Sequence, residues 1–263
     1  MKLSVLSWNL HGLPWPLSKD PRGRIQRAGA KIRELAPDVV LLQEIWSGWA
    51  IDSLSRALHP DWSVLCKQGR LGGARGGLLA LVRVARGWTV RGRPEFYPYD
   101  SSAPAWKIWE GDGLSGKGAL IVSLERNGER VFAVNTHLQA QYPGADYLSV
   151  REAQLSQLGE FVAGLDQGMP AIIAGDFNTD CREPLYARIA EMGIDLTADG
   201  RGERGTNFDL RDGKPVWIDY ILGPASKTWK AAAELELIVN RGADDPYSDH
   251  NGLFCAVTLA PRK

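Results

Sequence analysis

The chain has 263 residues, of which 44% are hydrophobic and 24% charged, so it can fold as one large domain or two ordinary ones. Its 31 basic and 31 acidic side chains give a formal net charge of zero, which disfavours a globally basic nucleic-acid binder. Cys66, Cys181 and Cys255 are far apart in the sequence, which excludes a dense disulfide framework or a thiolate zinc site.

Targeting signals are not evident in the sequence. Residues 1–12 alternate between polar and apolar residues and lack the apolar stretch of a signal peptide. No later apolar run reaches the roughly 18 residues that a membrane span requires. These patterns predict a soluble, cytoplasmic protein.

Apolar periodicity predicts alternating strands and helices from the first residues onward. Leu3, Val5 and Trp8 indicate a first strand, and residues 24–35 have the periodicity of a helix. The unbroken apolar run at 39–42 is typical of a strand buried on both faces. The same patterns predict a second helix over 148–165 and further strands at 77–84, 119–124, 131–135, 171–174, 217–222 and 252–259.

This order of elements predicts an α+β protein of packed sheets flanked by helices, with residues 1–263 forming one domain. No linker or repeat interrupts it. The stretch 93–116 is predicted to be irregular and is longer than an ordinary connection, which is typical of functional or mobile loops. It contains the aromatic residues Phe96, Tyr97, Tyr99, Trp106 and Trp109.

Polar residues recur where the predicted apolar strands end. Because such residues converge at one rim of a sheet, we expect an oxygen-rich cluster that also holds two imidazoles. Carboxylates and amides without thiolates suit Mg²⁺ or Mn²⁺. A hard ion suits phosphate ester hydrolysis, in which a histidine can take a proton from the attacking water. The residues are Asn9, Glu44, Asn135, His137, Asp176, Asn178, Asp219, Asp249 and His250.

Six short segments resemble, in order, the motif set of the endonuclease/exonuclease/phosphatase superfamily. The resemblance extends from Ser7 to His250 and implies a DNase I-like, four-layer α/β-sandwich of two packed mixed β-sheets flanked by helices. The segments are Ser7-Trp8-Asn9-Leu10, Leu42-Gln43-Glu44, Asn135-Thr136-His137-Leu138, Gly175-Asp176-Phe177-Asn178, Ile218-Asp219-Tyr220 and Ser248-Asp249-His250.

The resemblance also implies which residues bind metal. Glu44 is expected to be the principal ligand of Mg²⁺ or Mn²⁺, with Asn9 beside it. Asp249 is a candidate for a second metal position, and the number of ions stays open. His11, two residues after Asn9, matches no catalytic position of the superfamily, and we do not expect it to contact the substrate.

The same resemblance implies the catalytic groups. His250 is expected to be the general base, oriented by Asp219. Asp176 is expected to position or polarise the attacking water. Asn178 and His137 are expected to hold the scissile phosphate and stabilise its transition state.

Finer features resemble the neutral sphingomyelinases. One is the segment 135–142 followed by Arg151 and Gln154, and another is Asp112 five residues before Lys117 in a glycine-rich loop. In that family a similarly spaced Asp and Lys regulate activity, with the Lys close to the substrate phosphate. Such a loop lets a lysine reach an anionic group at little steric cost.

Five residues are therefore candidates for binding the substrate. Asn135, Lys117 and Asp112 come from the sphingomyelinase-like segments. Trp106 and Trp109 are expected to lie at a lipid–water interface, which amphipathic rings prefer. The alternative for the two tryptophans is a loop folded over its own small cluster.

These features predict a Mg²⁺- or Mn²⁺-dependent phosphodiesterase, a phospholipid headgroup hydrolase of the phospholipase C type that contacts a membrane surface peripherally. One alternative is a metal-dependent nuclease acting on DNA or RNA, which the seven basic and no acidic residues of 62–94 favour. Another is a catalytically silent relative that binds phosphates or a partner. Neutral net charge disfavours the nuclease, and the intact polar set disfavours the silent relative.

Overall fold

The structure is a computed structural model that describes residues 1–13, 19–69, 72–102, 116–142, 144, 146–165, 168–208, 213–224, 228–239 and 246–262. In chain order its strands are Lys2–Asn9 (β1), Val39–Gln43 (β2), Ser63–Leu65 (β3), Leu79–Val82 (β4), Thr89–Pro98 (β5), Gly118–Arg126 (β6), Glu129–His137 (β7), Ala171–Asp176 (β8), Gly193–Asp195 (β9), Asn207–Phe208 (β10), Pro215–Val216 (β11), Asp219–Pro224 (β12), Trp229–Ile238 (β13) and Gly252–Pro261 (β14). The α-helices are Pro21–Leu35 (α1), Gly48–Leu58 (α2), Leu148–Ala163 (α3) and Tyr186–Met192 (α4).

Most strands belong to two mixed six-stranded sheets. The first has the order β13-β14-β1-β2-β4-β3, and the second has the order β5-β6-β7-β8-β12-β9. Each sheet has one parallel pair among its antiparallel neighbours, β1 with β2 and β7 with β8. The carboxyl ends of each parallel pair therefore lie at one edge of its sheet.

Alternating side chains explain how the sheets pack in layers. In β1, Leu3 and Val5 belong to the core between the two sheets, whereas Leu6 and Trp8 pack with α1 and α2 on the outer face. Helix α3 contributes Leu155 and Leu158 to the core cluster that contains the second sheet. The predicted sandwich of two mixed sheets flanked by helices is confirmed.

The observed helices differ from the predicted ones at several points, and helix α3, predicted over 148–165, ends at Ala163. Helix α1 begins three residues before the predicted position 24, because the Asp20 side chain caps it by accepting from the Gly23 amide and Pro21 fits the first turn. Helix α2 was not predicted, although Ser47 caps it and Ala50, Leu54 and Leu58 are buried at a four-residue spacing. Helix α4 was not predicted either, and the chain forms only two turns there.

Several strand predictions need correction. The predicted irregular stretch 93–116 begins inside β5, which pairs with β6 through a register shift between Arg91 and Glu95. The strand predicted at 77–84 is shorter, because residues 75–77 form a 3-10 turn. Strand β13 was not predicted, and its Ala- and Glu-rich sequence becomes extended by pairing along its whole length with β14.

The two sheets are joined by a buried polar bridge. Gln43 at the end of β2 donates from Nε2 to Asn135 Oδ1 in β7 at 2.7 Å. The Asn135 amide nitrogen donates to the carbonyl oxygens of Leu42 and Leu79 at 2.8 and 3.0 Å. The ends of β2 and β7 therefore face each other, and the residues that follow these strands lie at a common edge.

Within the described ranges, no helix has the length and apolar character needed to cross a bilayer.

Replacing Asn135 with alanine should lower the free energy of unfolding by about 3 kcal/mol, because two buried carbonyls and one buried amide lose their partners. Urea unfolding measures this change. Gln26→Ala on an exposed position of α1 is the matched control and should change stability by less than about 0.5 kcal/mol. A loss below about 1 kcal/mol for Asn135→Ala would show that the bridge adds little stability.

Candidate active site

Asp176, the last residue of β8, lies at the centre of a buried polar cluster. Its Oδ2 atom is 3.6 Å from Nε2 of both His137 and His250, and it accepts from Asn9 Nδ2 at 3.1 Å. Its Oδ1 atom accepts from the Asn178 amide at 2.9 Å. One carboxylate thus contacts residues from both sheets.

A glycine makes this position of Asp176 possible. Gly175 has a φ of +149°, and a Cβ there would lie 1.9 Å from the Thr136 carbonyl oxygen. Only glycine lets β8 lie this close to β7. The glycine that precedes Asp176 in the motif is therefore required by the close packing of β8 against β7.

His250 and Asp219 form a buried dyad beside Asp176. His250 Nδ1 lies 2.8 Å from Asp219 Oδ2, and the backbone amide of Asp219 is held by Thr206 Oγ1 at 3.2 Å. Trp8 Nε1 donates to the His250 carbonyl oxygen at 3.1 Å. When the ring is neutral and donates its Nδ1 proton to Asp219, Nε2 is a hydrogen-bond acceptor, which is the tautomer a general base requires.

Asn207 also contacts the second ring nitrogen of His250. Its Nδ2 atom lies 2.6 Å from His250 Nε2. Sequence analysis missed Asn207 because it belongs to a two-residue strand, β10, in a stretch with no periodic pattern. Only the fold brings β10 beside the end of the chain.

A carboxylate and an amide form the second half of the cluster. Glu44 follows β2 and accepts from Asn9 Nδ2 at 2.9 Å through Oε1, so the Asn9 amide bridges Glu44 and Asp176. Asn9 Oδ1 accepts from the backbone amide of His11 at 2.9 Å. The His11 imidazole lies 2.9 Å from Asp249 Oδ2 and 4.0 Å from Glu44 Oε2, measured from Nδ1. Sequence analysis gave His11 no function, yet the structure brings it into this cluster.

His137 and Lys117 lie together on the β6–β7 side. Both side chains are buried, and the Lys117 charge is close enough to affect His137. Asn178 is partly exposed, and its Nδ2 donates to the Leu138 carbonyl oxygen at 3.0 Å. Neutral and cationic donors therefore face the carboxylates from this side.

Burial and crowding of like charge alter the protonation of the cluster. Burial, and then the charge of Asp219, raise the pKa of Asp176 to about 7. Burial alone would lower the pKa of His250, but the charges of Asp219 and Asp176 outweigh it and raise that pKa well above 6.5. Burial, followed by the Lys117 charge, keeps the pKa of His137 well below 6.5.

The cluster therefore fits a divalent cation. Four carboxylates and an amide lie near one another, and Asp176 retains a proton at a pH where an exposed carboxyl is ionised. Asp176, Asp219 and His250 each offer a ligand atom, and these atoms lie within 4.8 Å of one another. Oxygen-rich sites of this composition suit Mg²⁺ or Mn²⁺.

One predicted substrate residue needs correction, and three cannot be located. Asn135 is fully buried and its amide is bonded within the protein, so the structure argues against contact with a substrate and assigns it to the bridge between the sheets. Asp112, Trp106 and Trp109 lie outside the described residues. Arg151 and Gln154 are buried supports: Gln154 Oε1 accepts from the Gln139 amide at 2.8 Å.

A buried His–Asp dyad next to clustered carboxylates at the edge of a two-sheet sandwich is typical of metal-assisted hydrolases. Comparison with known proteins gives the particular family. The chain belongs to the Endonuclease/Exonuclease/phosphatase family, whose model matches residues 6–250.

Two similar proteins act on sphingolipids, as their names state. The chain is 32% identical over 197 residues to the inositol phosphosphingolipids phospholipase C of Schizosaccharomyces pombe, covering 73% of this chain and 45% of that protein. It is 28% identical over 187 residues to sphingomyelin phosphodiesterase 2 of Homo sapiens, covering 68% of this chain and 41% of that protein. The chain thus spans less than half the length of these two relatives.

Solved structures show the same fold. Beta toxin of Staphylococcus aureus, in a crystal structure with bound magnesium ions, superposes with a TM-score of 0.74 at 18% identity, over 97% of this chain and 99% of that one. The architecture is DNase I-like, as the six motifs implied.

The pKa values of His250 and His137 should lie on opposite sides of the ordinary histidine value of 6.5. In the metal-free protein His250 should keep its proton above pH 6.5. Asp219→Asn should lower the pKa of His250, because the negative charge of the Asp219 carboxylate beside Nδ1 is removed. His137 should stay neutral until well below pH 6.5.

Carbon-13 spectra of ¹³Cε1-labelled histidine measure these titrations, with signals assigned by His11→Gly, His59→Gln and His137→Gln. The control Asp52→Asn on an exposed position of α2 should leave all four histidines unchanged. A wild-type His250 signal that titrates at or below pH 6.5 would contradict the assignment of His250.

Proposed function

We propose that this protein is a divalent-metal-dependent phosphodiesterase of the neutral sphingomyelinase type, hydrolysing the headgroup ester of a phospholipid in the manner of a phospholipase C. The observation that carries the proposal is the pair of distances from Asp176 Oδ2, 3.6 Å to His250 Nε2 and 3.6 Å to His137 Nε2. In this proposal His250 is the base and His137 the phosphate-binding donor, and the two distances support it because both imidazoles lie near the same carboxylate oxygen. The sphingolipid-hydrolysing relatives support the substrate class.

His250 acts as the general base in this proposal. Asp219 holds the Nδ1 proton, so Nε2 can take a proton from the attacking water. Asp176 Oδ2 lies 3.6 Å from Nε2, so a water that reaches His250 also lies next to the Asp176 carboxylate. The water is then held by Asp176 while His250 removes its proton, and the leaving oxygen departs in line on the opposite side of the phosphorus.

Glu44 and Asn9 hold the metal, and Asp249 is available to a second ion. When bound, Mg²⁺ or Mn²⁺ neutralises the negative charge that develops on a non-bridging phosphate oxygen. The oxygen-rich donor set and the magnesium ions bound to a protein of the same fold support this choice of metal.

His137, Asn178 and Lys117 bind the phosphate. Neutral His137 can donate a hydrogen bond, since its depressed pKa keeps one ring nitrogen unprotonated but leaves the other as a donor. Lys117 lies beside it and adds a positive charge. Charge-assisted donors of this kind stabilise the transition state when they lie where charge develops.

One catalytic domain spans residues 1–263 in this proposal. Strand β14, near the end of the chain, pairs with β1 over six positions from Lys2–Thr258 to Ser7–Leu253. The last strand and the first are therefore neighbours in one sheet, and both lead to the site. A phospholipid substrate implies that the protein contacts a lipid surface at least peripherally.

A nuclease is the second candidate, because the family includes endonucleases and exonucleases. The neutral net charge disfavours it, since phosphate contacts supply most of nucleic-acid affinity. Three of the seven basic residues of 62–94 have separate partners: Arg91 pairs with Glu125, Arg83 donates to the Ala36 carbonyl and Arg75 stacks on Phe96. A silent relative is disfavoured by the intact dyad and carboxylate cluster.

Removing the metal or its principal ligand should abolish activity. Glu44→Ala should lower phosphocholine release from sphingomyelin in Mg²⁺ by at least about a hundredfold, because a charged ligand is lost. Excess chelator should do the same to the wild type. Circular dichroism should show that the variant stays folded, and Glu152→Gln on an exposed position of α3 serves as the control with normal turnover. Full wild-type activity in excess chelator would refute the metal assignment.

Lys117→Met should lower lipid phosphodiester turnover by roughly ten- to a hundredfold, equivalent to about 1.4 to 2.8 kcal/mol, because one charge-assisted phosphate contact is lost. The affinity for Mg²⁺ should be unchanged. Lys230→Met on an exposed position of β13 is the matched control.

The same assay should compare sphingomyelin, glycerophospholipids and single- and double-stranded DNA with the wild type. Normal sphingomyelin hydrolysis by Lys117→Met would remove Lys117 from the site. Wild-type cleavage of DNA far above that of any lipid would replace the sphingomyelinase assignment with the nuclease.

A further inference from the structure

His11 has an unusual position for a residue without a function. It lies two residues beyond β1, and its imidazole Nδ1 sits between two carboxylates that come from different parts of the chain. Asp249 precedes β14, and Glu44 follows β2. The side chain of His11 is only about a quarter exposed, at 26%, so it belongs to the wall of the site rather than to the open surface.

The distances from Nδ1 suit a shared ion. Two ligand atoms that each lie about 2.1 Å from one Mg²⁺ or Mn²⁺ are at most about 4.2 Å apart. His11 Nδ1 is 2.9 Å from Asp249 Oδ2 and 4.0 Å from Glu44 Oε2. Both separations are within that limit, so one ion can reach Nδ1 together with either carboxylate.

The backbone holds His11 in this place at a conformational cost. His11 has a φ of +45°, and its amide donates to Asn9 Oδ1 at 2.9 Å. Glu44 and Asn178, at φ values of +61° and +48°, are also left-handed and also follow strands at this rim. Left-handed non-glycine residues cluster at functional sites, and two of these three already have expected functions.

The local field also favours a cation at Nδ1. Asp249 Oδ2 and Glu44 Oε2 place two carboxylates at 2.9 and 4.0 Å from this nitrogen. A divalent ion held at Nδ1 would be attracted by both negative charges.

We propose that His11 Nδ1 is a direct ligand of the divalent ion, alongside Glu44, so that the site is a mixed nitrogen and oxygen site rather than an oxygen-only one. This inference rests on the proposed metal-dependent function. An imidazole ligand favours Mn²⁺ and Co²⁺ over Mg²⁺, because nitrogen is a softer donor than a carboxylate oxygen. His11 would therefore set which metal the protein prefers.

The variant His11→Gly tests the proposal without straining the backbone, since glycine adopts a φ of +45° freely. Electron spin-echo envelope modulation of the Mn²⁺-loaded protein detects directly bound imidazole ¹⁴N. Titration calorimetry gives the affinities for Mn²⁺ and Mg²⁺ in parallel. His59→Gln, an exposed residue at the end of α2, is the matched control, and added imidazole tests for rescue of His11→Gly.

We expect ¹⁴N modulation in the wild type and in His59→Gln, and its loss in His11→Gly. The Mn²⁺ dissociation constant should rise at least about tenfold in His11→Gly, with a smaller rise for Mg²⁺. Imidazole should restore both the modulation and part of the Mn²⁺ affinity.

Four results would overturn the inference, and they differ in whether they also affect the proposed function. Modulation that persists in His11→Gly, or equal weakening of Mn²⁺ and Mg²⁺, would mean that His11 only holds Asp249 in place. Mn²⁺-supported turnover by a wild type without ¹⁴N modulation would remove His11 and leave the proposed function intact. A wild type that binds neither ion would refute both.

Discussion

Burial of the Asp176 carboxylate beside Asp219 is the constraint on which the site depends. Two carboxylates in an apolar interior repel each other and lose their hydration, so their environment must supply protons, hydrogen bonds or cations. His250, His137 and the Asn9 amide supply part of this compensation. The negative charge that these groups leave uncompensated makes the cluster suitable for a divalent ion. The burial of the carboxylates is thus the physical reason for a cation site here.

The two-sheet sandwich is the scaffold that makes this burial possible. Each sheet contributes one parallel pair of strands, whose carboxyl ends meet at one rim. The Gln43–Asn135 bridge keeps the two rims together and is itself fully buried. A polar bridge of this kind tolerates little displacement, because any separation of the sheets would leave several buried polar groups unpaired. The proposed metal ligands and the proposed phosphate-binding residues are thereby held in one geometry.

The site also divides chemically between the sheets. Of the expected metal ligands, Asn9 ends β1 and Glu44 follows β2 in the first sheet. His137 and Asp176 end β7 and β8 of the second sheet, and Lys117 directly precedes β6 of that sheet. His250 joins the two halves, since it precedes β14 of the first sheet and bonds to Asp219 of the second. The proposed hydrolysis requires residues of both sheets at once, which accounts for motifs spread along nearly the whole chain.

Local sequence patterns were enough to predict the order of the main strands, the α+β class and the residues at the strand ends. This was possible because buried strands and amphipathic helices leave periodic apolar patterns, and because polar residues that end such strands have few structural reasons to be there. Asn9, Glu44, Asp176 and His250 were identified in this way, together with their motif order. The family resemblance rested on the same residues.

Other features of the fold and of the site depend on contacts that form only in the folded chain. Strand β13 has a sequence that fits a helix as well as a strand, and only pairing with β14 selects the extended form. Asn207 and His11 carry no local signal, because their importance comes from His250, Asp249 and Glu44, which are distant in sequence. Asn135 shows the converse: its motif suggests a substrate contact, but burial between the sheets makes it a bridge. Contacts between distant residues, which no local pattern encodes, account for each of these differences.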